Sequence, residues 1–524
     1  MSLVYDLKMF AEVHGTNAGD YVVGDGVTND NSALDTCILD ALGAHGDDNK
    51  IYGYHVVYIP ENKEILLSNL QILDYRDILF VGAGRSSVFK QQDGAGGIIT
   101  FERCKHYGYC NMSIDYNGAP KFGGMRNYEA NGAWIVSNNF YDSRPVGIAI
   151  DNGDRYAIVF GSGPTPSRNI YFGENNIKDL QCEFDHMQGA LIEDNISLNA
   201  PTTCAFGTFG INNGDKNRDI IYRNNKVINP KSKAFQITKD TAEINDTEFG
   251  HISVIGNEIE FSTFSGQAFL VGTGNNSIPQ VTDKFHHIWF DGNKITYGAE
   301  CLSMHWESSP IAFMGPASEQ GFRFVECQVM NNIFHGNRRN GGWVILAKNW
   351  DGGRVEGNRV LNVPYGINMM QPIRCSVQHN VVNALYRGNV VDRSRGGNRV
   401  DATNKLLGHT DVTFEVIGGA QQGDVFESPT LWNEAGQLIE AWADWIPGAI
   451  KAGGTASKTM AITGISYGDH IEGLDITASL QGCVISGVIE PAGTLVVSLK
   501  NGTGAKKTFG ATYIVVKISK PLFV

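Results

Sequence analysis

Long hydrophobic runs are missing from this chain. No stretch approaches the ~20 consecutive apolar residues of a membrane-spanning helix, so membrane insertion is not expected. Basic charge is short as well. Forty-two Lys and Arg stand against 55 Asp and Glu, for a net charge of −13 and a pI near 5.5. Phosphate backbones bind basic faces, so nucleic acid is not an expected partner. The start, Met1 to Phe10, lacks a basic region followed by an apolar run, and no signal peptide is read there. Paired cysteine motifs are absent: the nine Cys include no C-x-x-C and no zinc spacing. Several, such as Cys182, Cys204, Cys301 and Cys375, sit in apolar strand-like runs, so they read as buried free thiols. No metal and no cofactor is expected.

What is plentiful is glycine, with 62 residues, and asparagine, the usual partners of tight turns. They recur in a pattern. The segments IYFGENNI, ALIEDNI, IIYRNNKV, ISVIGNEI, IWFDGNKI, CQVMNNIF, GRVEGNRV, CSVQHNVV and RGGNRV each join an apolar alternating strand to a second short strand through an Asn turn. Aligned two residues before Ile, Phe or Val, the turn falls on Asn175, Asp194, Asn225, Asn257, Asn293, Asn331, Asn358, Asn380 and Asn398. The intervals run from 18 to 38 residues; the short ones suit one three-strand coil and the long ones a coil with an inserted loop. Asn tolerates a left-handed turn, and its amide can donate and accept along a stacked column.

A second column lies between these units. It reads GIAIDNGD from 147, CAFGTFG from 204, AFQITKD from 234, AFLVGTG from 268, CLSMHWE from 301, WVILAKN from 343 and GINMMQP from 366. These segments are expected to form a first sheet, with Phe206, Phe235, Phe269, Leu302, Val344 and Ile367 inward.

Ahead of the repeats stands Gly24-Asp25-Gly26-Val27-Thr28-Asn29-Asp30. It is followed by helical spacing at Ala33, Leu34, Cys37, Ile38, Ala41 and Leu42, a strand ending at Pro60, and Gly82-Ala83-Gly84. Asp30 or Asn31 can cap that helix. Over roughly residues 20 to 85 this order resembles the start of pectate-lyase-like β-helices and bacteriophage tailspikes. The resemblance implies an all-β chain: a right-handed parallel β-helix with an N-terminal capping helix. A solenoid end is an open sheet edge, and a helix laid over it blocks edge pairing. From Thr459 alternating strands with hairpin turns begin. Ala461-Ile462-Thr463-Gly464 with Gly468-Asp469, then Asn501-Gly502-Thr503-Gly504, resemble the small C-terminal β-sandwich of phage tail fibres and spikes. The expected domains are therefore 1–54, a cap; 55–400, the β-helix; 401–458, a connecting region; and 459–524, the sandwich, at a trimer tip or a glycan contact.

Candidate chemistry sits where loops follow first-sheet strands. Long neighbouring insertions wall a groove along a rod, which suits a linear polymer. Near that rim lie Asp240, Glu243, His305, Trp306, Glu307, Lys348, Trp350 and Asp351. Glycoside hydrolysis uses two carboxyl groups flanking the scissile bond. Trp306 offers Glu307 an apolar wall that would raise its pKa, so Glu307 is the expected general acid, with Asp240 or Asp351 as base or nucleophile. His305, Trp306, Lys348, Trp350 and Glu243 would hold sugar. A second candidate group is Asp151, Asp154, Glu183, Asp185 and His186. Gly250-His251-Ile252 only grazes the Gly-His-Gly element of polygalacturonases and is read as the start of a strand. Ile288-Trp289-Phe290-Asp291-Gly292 lacks the His of the comparable pectate-lyase segment, and Asp291 is read as an outward strand residue.

The resemblance implies a homotrimeric spike, joined to a phage tail or baseplate protein in the virion, made in the host cytoplasm and released by lysis. It would bind and hydrolyse a bacterial surface polysaccharide, capsule or O-antigen. Two other readings stay open: a polysaccharide lyase on a uronate-containing glycan, and a non-catalytic adhesin.

Overall fold

The computed structural model describes residues 16–43, 55–92, 96–117, 124–143, 156–161, 163–201, 203–241, 243–263, 266–272, 279–301, 309–315, 321–337, 342–407, 412–427, 430–432, 438–462, 465, 469–490, 494–510 and 512–519. They form two compact bodies. One is Met1–Leu302 with Pro310–Gln328; the other is Ser303–Ser309 with Val329–Val524.

The first body is a stack of coils with three parallel columns. One column runs Met125–Tyr128, Tyr156–Phe160, Gln181–Phe184, Cys204–Gly210, Lys233–Lys239, Gln267–Gly272 and Ile311–Met314. The second runs from His55–Ile59 through Met187–Glu193, Lys216–Arg223 and Glu248–Ile255 to Lys284–Asp291. The third holds short strands such as Asn176–Lys178, Ile196–Leu198, Lys226–Ile228 and Glu258–Phe261. The register is straight, so like positions stack. Phe206 pairs with Phe235 and Phe235 with Phe269, all buried, and the first two rings stack at 5.5 Å. Each buried aromatic ring contributes roughly 1.5–3 kcal/mol by leaving water.

At the corner between the second and third columns the asparagines form a ladder. Asn138, Asn175, Asn195, Asn225, Asn257 and Asn293 are all buried. Each Oδ1 accepts the backbone N–H and the Nδ2 of the previous rung, at 2.8–3.1 Å. Each Nδ2 also donates to a carbonyl of the previous coil, as Asn225 does to Ile192 at 2.9 Å. The second body has its own ladder of Asn332, Asn358, Asn380 and Asn404. Six expected rungs are therefore in place: Asn175, Asn225, Asn257, Asn293, Asn358 and Asn380. Three shift. Asn195 replaces Asp194 because Ile196 faces solvent and Ser197 turns inward. Asn332 replaces Asn331 because Ile333 is exposed and Phe334 is buried. Asn398 belongs to another corner, where it accepts from Cys375 N and donates to Pro372 O. The left-handed residue is also not the rung but the one before it: Glu174, Asp194, Asn224, Gly256 and Gly292 have φ of 54–65°.

Second-column strands carry another left-handed ladder. Asp77, His106, Gly132, Asn169, Gly189, Asp219, His251, His287 and Glu326 have φ of 48–86°. The pairing steps over them, as from Gly250↔His286 to Ile252↔Ile288. Except for Glu326, these are the residue types that accept such backbone at least cost.

The helix Asn31–Gly43 buries Leu34, Cys37, Ile38 and Ala41. Asp30 pins its start by accepting from Val23 N and Leu66 N, while Asn31 exchanges hydrogen bonds with the backbone of Ser68. In the preceding turn Asp25 Oδ1 accepts from Val27 N and Thr28 N, which explains the G-D-G-x-T spacing.

In the second body parallel strands run on to Thr430–Trp432, past the expected end near residue 400. Antiparallel pairing then begins at Leu438–Trp445, which pairs with Thr512–Ser519, so the terminal module starts earlier than Thr459. Its core includes Trp445, Ile450, Leu495, Val497, Phe509 and Val516. Asn501 of the N-x-T-G motif is buried and donates to Ile450 O, Lys451 O and Ala505 O. Thr463, Gly464 and Gly468 lie outside the described residues. All nine cysteines are buried and free.

The ladder gives a test of the fold. Asn225→Ala strips an acceptor from two buried donors of Asn195 and a donor from Ile192 O, at roughly 1–3 kcal/mol for each unsatisfied group. Thermal unfolding should show a loss of about 3 kcal/mol or more. Asn224→Gly, one residue away at φ 54°, should be neutral or slightly stabilising.

Candidate active site

Rim positions after first-column strands carry the acidic residues. Cys182 and Phe184 of Gln181–Phe184 point inward, and Phe184 stacks on Phe160. Alternation then turns Glu183 and Asp185 to the outer face, two residues apart, about 6.6 Å along the strand. Asp185 is only 2% exposed. Its N–H donates to Phe160 O, and its Oδ1 accepts from Phe209 N at 2.8 Å. Gly161, at φ 141°, lies beneath it: a Cβ there would be 2.8 Å from the Asp185 Cβ. The glycine lets the acid sit down against the strand end.

Burial raises the Asp185 carboxyl well above the ordinary carboxylate range. The charge of Glu183 raises it further, the Phe209 N–H opposes, and Asp240 and Asp215 add to the rise. The second oxygen of Asp185 takes no hydrogen-bond partner among the described residues. Asp215 serves the backbone instead, since its Oδ2 accepts from Ile211 N and Asn212 N at 2.8 Å and closes that turn. His186 Nδ1 faces Gly163 O at 3.1 Å and Asp215 Oδ1 at 3.6 Å. Asp240 follows Lys233–Lys239 directly and is exposed, as is Glu243. Lys239 beside it is fully buried against Asp283 at 3.0 Å, with Ile244 O at 2.7 Å. This pair fastens the loop after Asp240 to the loop one coil on.

The sequence-predicted residues fall in three groups. Asp240 lies at the end of the first-column strand two coils on from Gln181–Phe184, and its charge adds to the rise at Asp185. His305, Trp306 and Glu307 lie outside the described residues, as do Asp151, Asp154 and Leu302. Their assumed frame is corrected, because Gln267–Gly272 pairs with Ile311–Met314 and not with a strand at 301–307. Likewise Tyr156–Phe160, not a strand from 147, pairs with Gln181–Phe184. In the second body, Lys348 ends the strand Trp343–Lys348 and is half-buried. Trp350 is fully buried, so its ring is a core element with no face for a sugar. Asp351 comes three residues after the strand Trp343–Lys348. It lies in Trp350–Asp351 and accepts from Arg374 at 2.6 and 2.9 Å, which occupies it in an ion pair. Asp215 escaped the sequence reading; its only signal was the Asn212-Asn213-Gly214-Asp215 turn before a repeat.

No protein-family model and no curated protein matches the sequence. Solved structures do. A variant of the tailspike protein of Escherichia coli bacteriophage HK620, in complex with a pentasaccharide, is 10% identical; the match covers 97% of this chain and 94% of that one at a TM-score of 0.50. This is a tailspike-like right-handed parallel β-helix. The unsubstituted HK620 tailspike, also with pentasaccharide, gives 11% identity, the same coverage and a TM-score of 0.49. The A-module of mannuronan C-5 epimerase AlgE6 from Azotobacter vinelandii gives 14% identity over 79% of this chain and 99% of that one, at a TM-score of 0.39. In this tailspike-like fold the coil register sets Gly207 and then Gln236 over Glu183.

Asp185 yields a pH test. Its folded pKa is raised above its unfolded value near 3.8, so its burial costs nothing below that value. Stability is lost as pH climbs from there toward the folded pKa. Asp185→Asn removes the loss and keeps the acceptor for Phe209 N–H. The stability of the variant relative to wild type should rise as the pH climbs above that unfolded value in thermal melts. A constant difference would contradict the buried-acid assignment.

Proposed function

We propose that this chain is a phage tailspike that binds a bacterial surface polysaccharide and cuts it as an endo-acting glycoside hydrolase. The observation that carries the reading is Asp185, a buried carboxyl at the end of a first-column strand, two residues from Glu183, whose pKa is raised by burial and by the charge of Glu183. Asp185 delivers the proton to the glycosidic oxygen. Glu183 acts as base or nucleophile, and Asp240 sits at the rim to assist either role. A spacing of about 6.6 Å between strand positions is compatible with an inverting pair at roughly 6.5–9.5 Å or, with side-chain bending, a retaining pair near 5–5.5 Å. Glu307 with Trp306 and His305 remains a second acid candidate, and Lys348 and Glu243 remain sugar contacts. The tailspike with a TM-score of 0.50 was solved with a bound pentasaccharide, which supports an oligosaccharide as ligand here. The proposed assembly is a homotrimer attached to a tail or baseplate protein.

Purified capsular and O-antigen polysaccharides provide the test. Hydrolysis gives fragments heavier by one water; a lyase gives unsaturated, ultraviolet-absorbing ends. Asp185→Asn and Glu183→Gln should each cut turnover by at least ~100-fold while glycan binding persists. Cleavage at the wild-type rate in both would remove these roles, and binding without any cleavage by wild type would make the chain an adhesin. Sedimentation of the intact chain should give a trimer; a monomer at micromolar concentration would contradict the assembly.

A further inference from the structure

Away from the carboxyl rim, the second column of the first body brings three histidines together. His251 follows Gly250 in Glu248–Ile255, and His286-His287 occupy the matching place in Lys284–Asp291. His251 and His287 are both left-handed, at φ 53° and 51°, so the register lays one ring over the other at 4.6 Å and 13°. His286 crosses them edge-on, 5.4 and 5.2 Å away. Its ring rests on Gly250, where a Cβ would be 2.3 Å from the imidazole carbon. One nitrogen from each of the three rings lies within 4.8 Å of the others.

The far nitrogens are already engaged. His286 Nε2 meets Glu248 Oε1 at 3.0 Å, and His287 Nε2 meets Glu326 Oε2 at 2.8 Å. Glu248 is in turn held by Arg218. A carboxylate accepts an Nε2–H, which leaves the lone pair of each ring on Nδ1. Those two Nδ1 atoms face one another at 2.9 Å. Two lone pairs at that distance repel, and a cation between them removes the repulsion. Carboxylates on the outer nitrogens of ligating imidazoles are the usual outer-shell arrangement of protein metal sites.

We infer that His251, His286 and His287 bind a divalent first-row transition ion, Zn²⁺ foremost, with Glu248 and Glu326 orienting the two inner ligands. Imidazole nitrogen suits Zn²⁺, Ni²⁺, Cu²⁺ and Co²⁺, whereas Ca²⁺ and Mg²⁺ want oxygen. Zn–N bonds of roughly 2.0–2.1 Å in a tetrahedron put nitrogens about 3.3 Å apart, so the 2.9 Å pair need open only by a few tenths of an ångström. Three protein ligands leave a fourth position for water. His251 is exposed and the other two are half-buried, so the ion has a path from solvent. The bound ion clasps two successive coils on their outer face.

Calorimetric titration of the full chain with Zn²⁺ at neutral pH tests this. One equivalent per chain should bind with micromolar affinity or better, and Co²⁺ should give the visible bands of a tetrahedral nitrogen site. His251→Gly, His286→Ala and His287→Gly should each abolish that equivalent. Gly132 and Gly189 occupy the same ladder position in other coils, so glycine keeps the backbone there. Glu326→Gln should weaken binding by about 10–100-fold. His379→Ala, at an exposed histidine in the second body, should leave it unchanged. Binding no tighter than millimolar, or binding that survives the histidine variants, overturns the assignment; a proton shared between the two Nδ1 atoms then accounts for the geometry.

Discussion

Stacking in parallel register places every residue over the same position one coil further on, and most of the chain's composition answers to that. An amide in such a column finds both a donor and an acceptor, so Asn can be buried at a corner with its hydrogen bonds satisfied. Rings find rings, as at Phe206 and Phe235. Charges find charges, which is a hazard, and outward columns manage it by alternation. Lys226, Glu258 and Lys294 alternate up one column, with Nζ–O distances of 3.1 and 2.8 Å. Such exposed pairs add little stability, but they spare the stack from like-charge repulsion. Asp185 departs from this pattern: it is buried, and burial and the charge of Glu183 both raise its pKa. A locally unfavourable feature that the fold retains is where function is expected.

The fold was legible because apolar alternation and turn chemistry repeat together. Nine segments in one frame marked the corner, seven others a first column, and a separate motif from Gly24 the capped start. The frame slipped wherever an apolar residue faced solvent. Ile196 and Ile333 look like core residues in the sequence, and alignment on them moved the corner by one position. The corner's chemistry was also divided between two residues: the left-handed turn belongs to the residue before the rung, and the rung is kept for its amide. A sequence such as Asn224-Asn225 hides that division of labour, while Gly256-Asn257 and Gly292-Asn293 display it.

The site was less legible, because it depends on which strands share a column. Cys301 to Glu307 carries an apolar pattern as good as that of Ile311–Met314, yet pairing selects the latter. Trp350 looked like a sugar platform and is core; Asp351 looked free and is held by Arg374. Burial decided Asp185 in the other direction, raising the pKa of an ordinary strand-end acid. The histidines illustrate the same limit. His251 and His286 are far apart in the chain, beyond the span of any motif, and only the coil length makes them neighbours.

Unequal coil lengths have a further consequence. Successive rungs of the first ladder are separated by 37, 20, 30, 32 and 36 residues, and those of the second by 26, 22 and 24. Every rung is the same amide, so the ladder by itself cannot tell a correctly wound chain from one threaded a coil out of place. Irregular spacing breaks that degeneracy as the notches of a key do. A slip by one coil would leave the short turn between Asn175 and Asn195 facing a neighbour built for a much longer one. The loops that interrupt the solenoid therefore also number its coils.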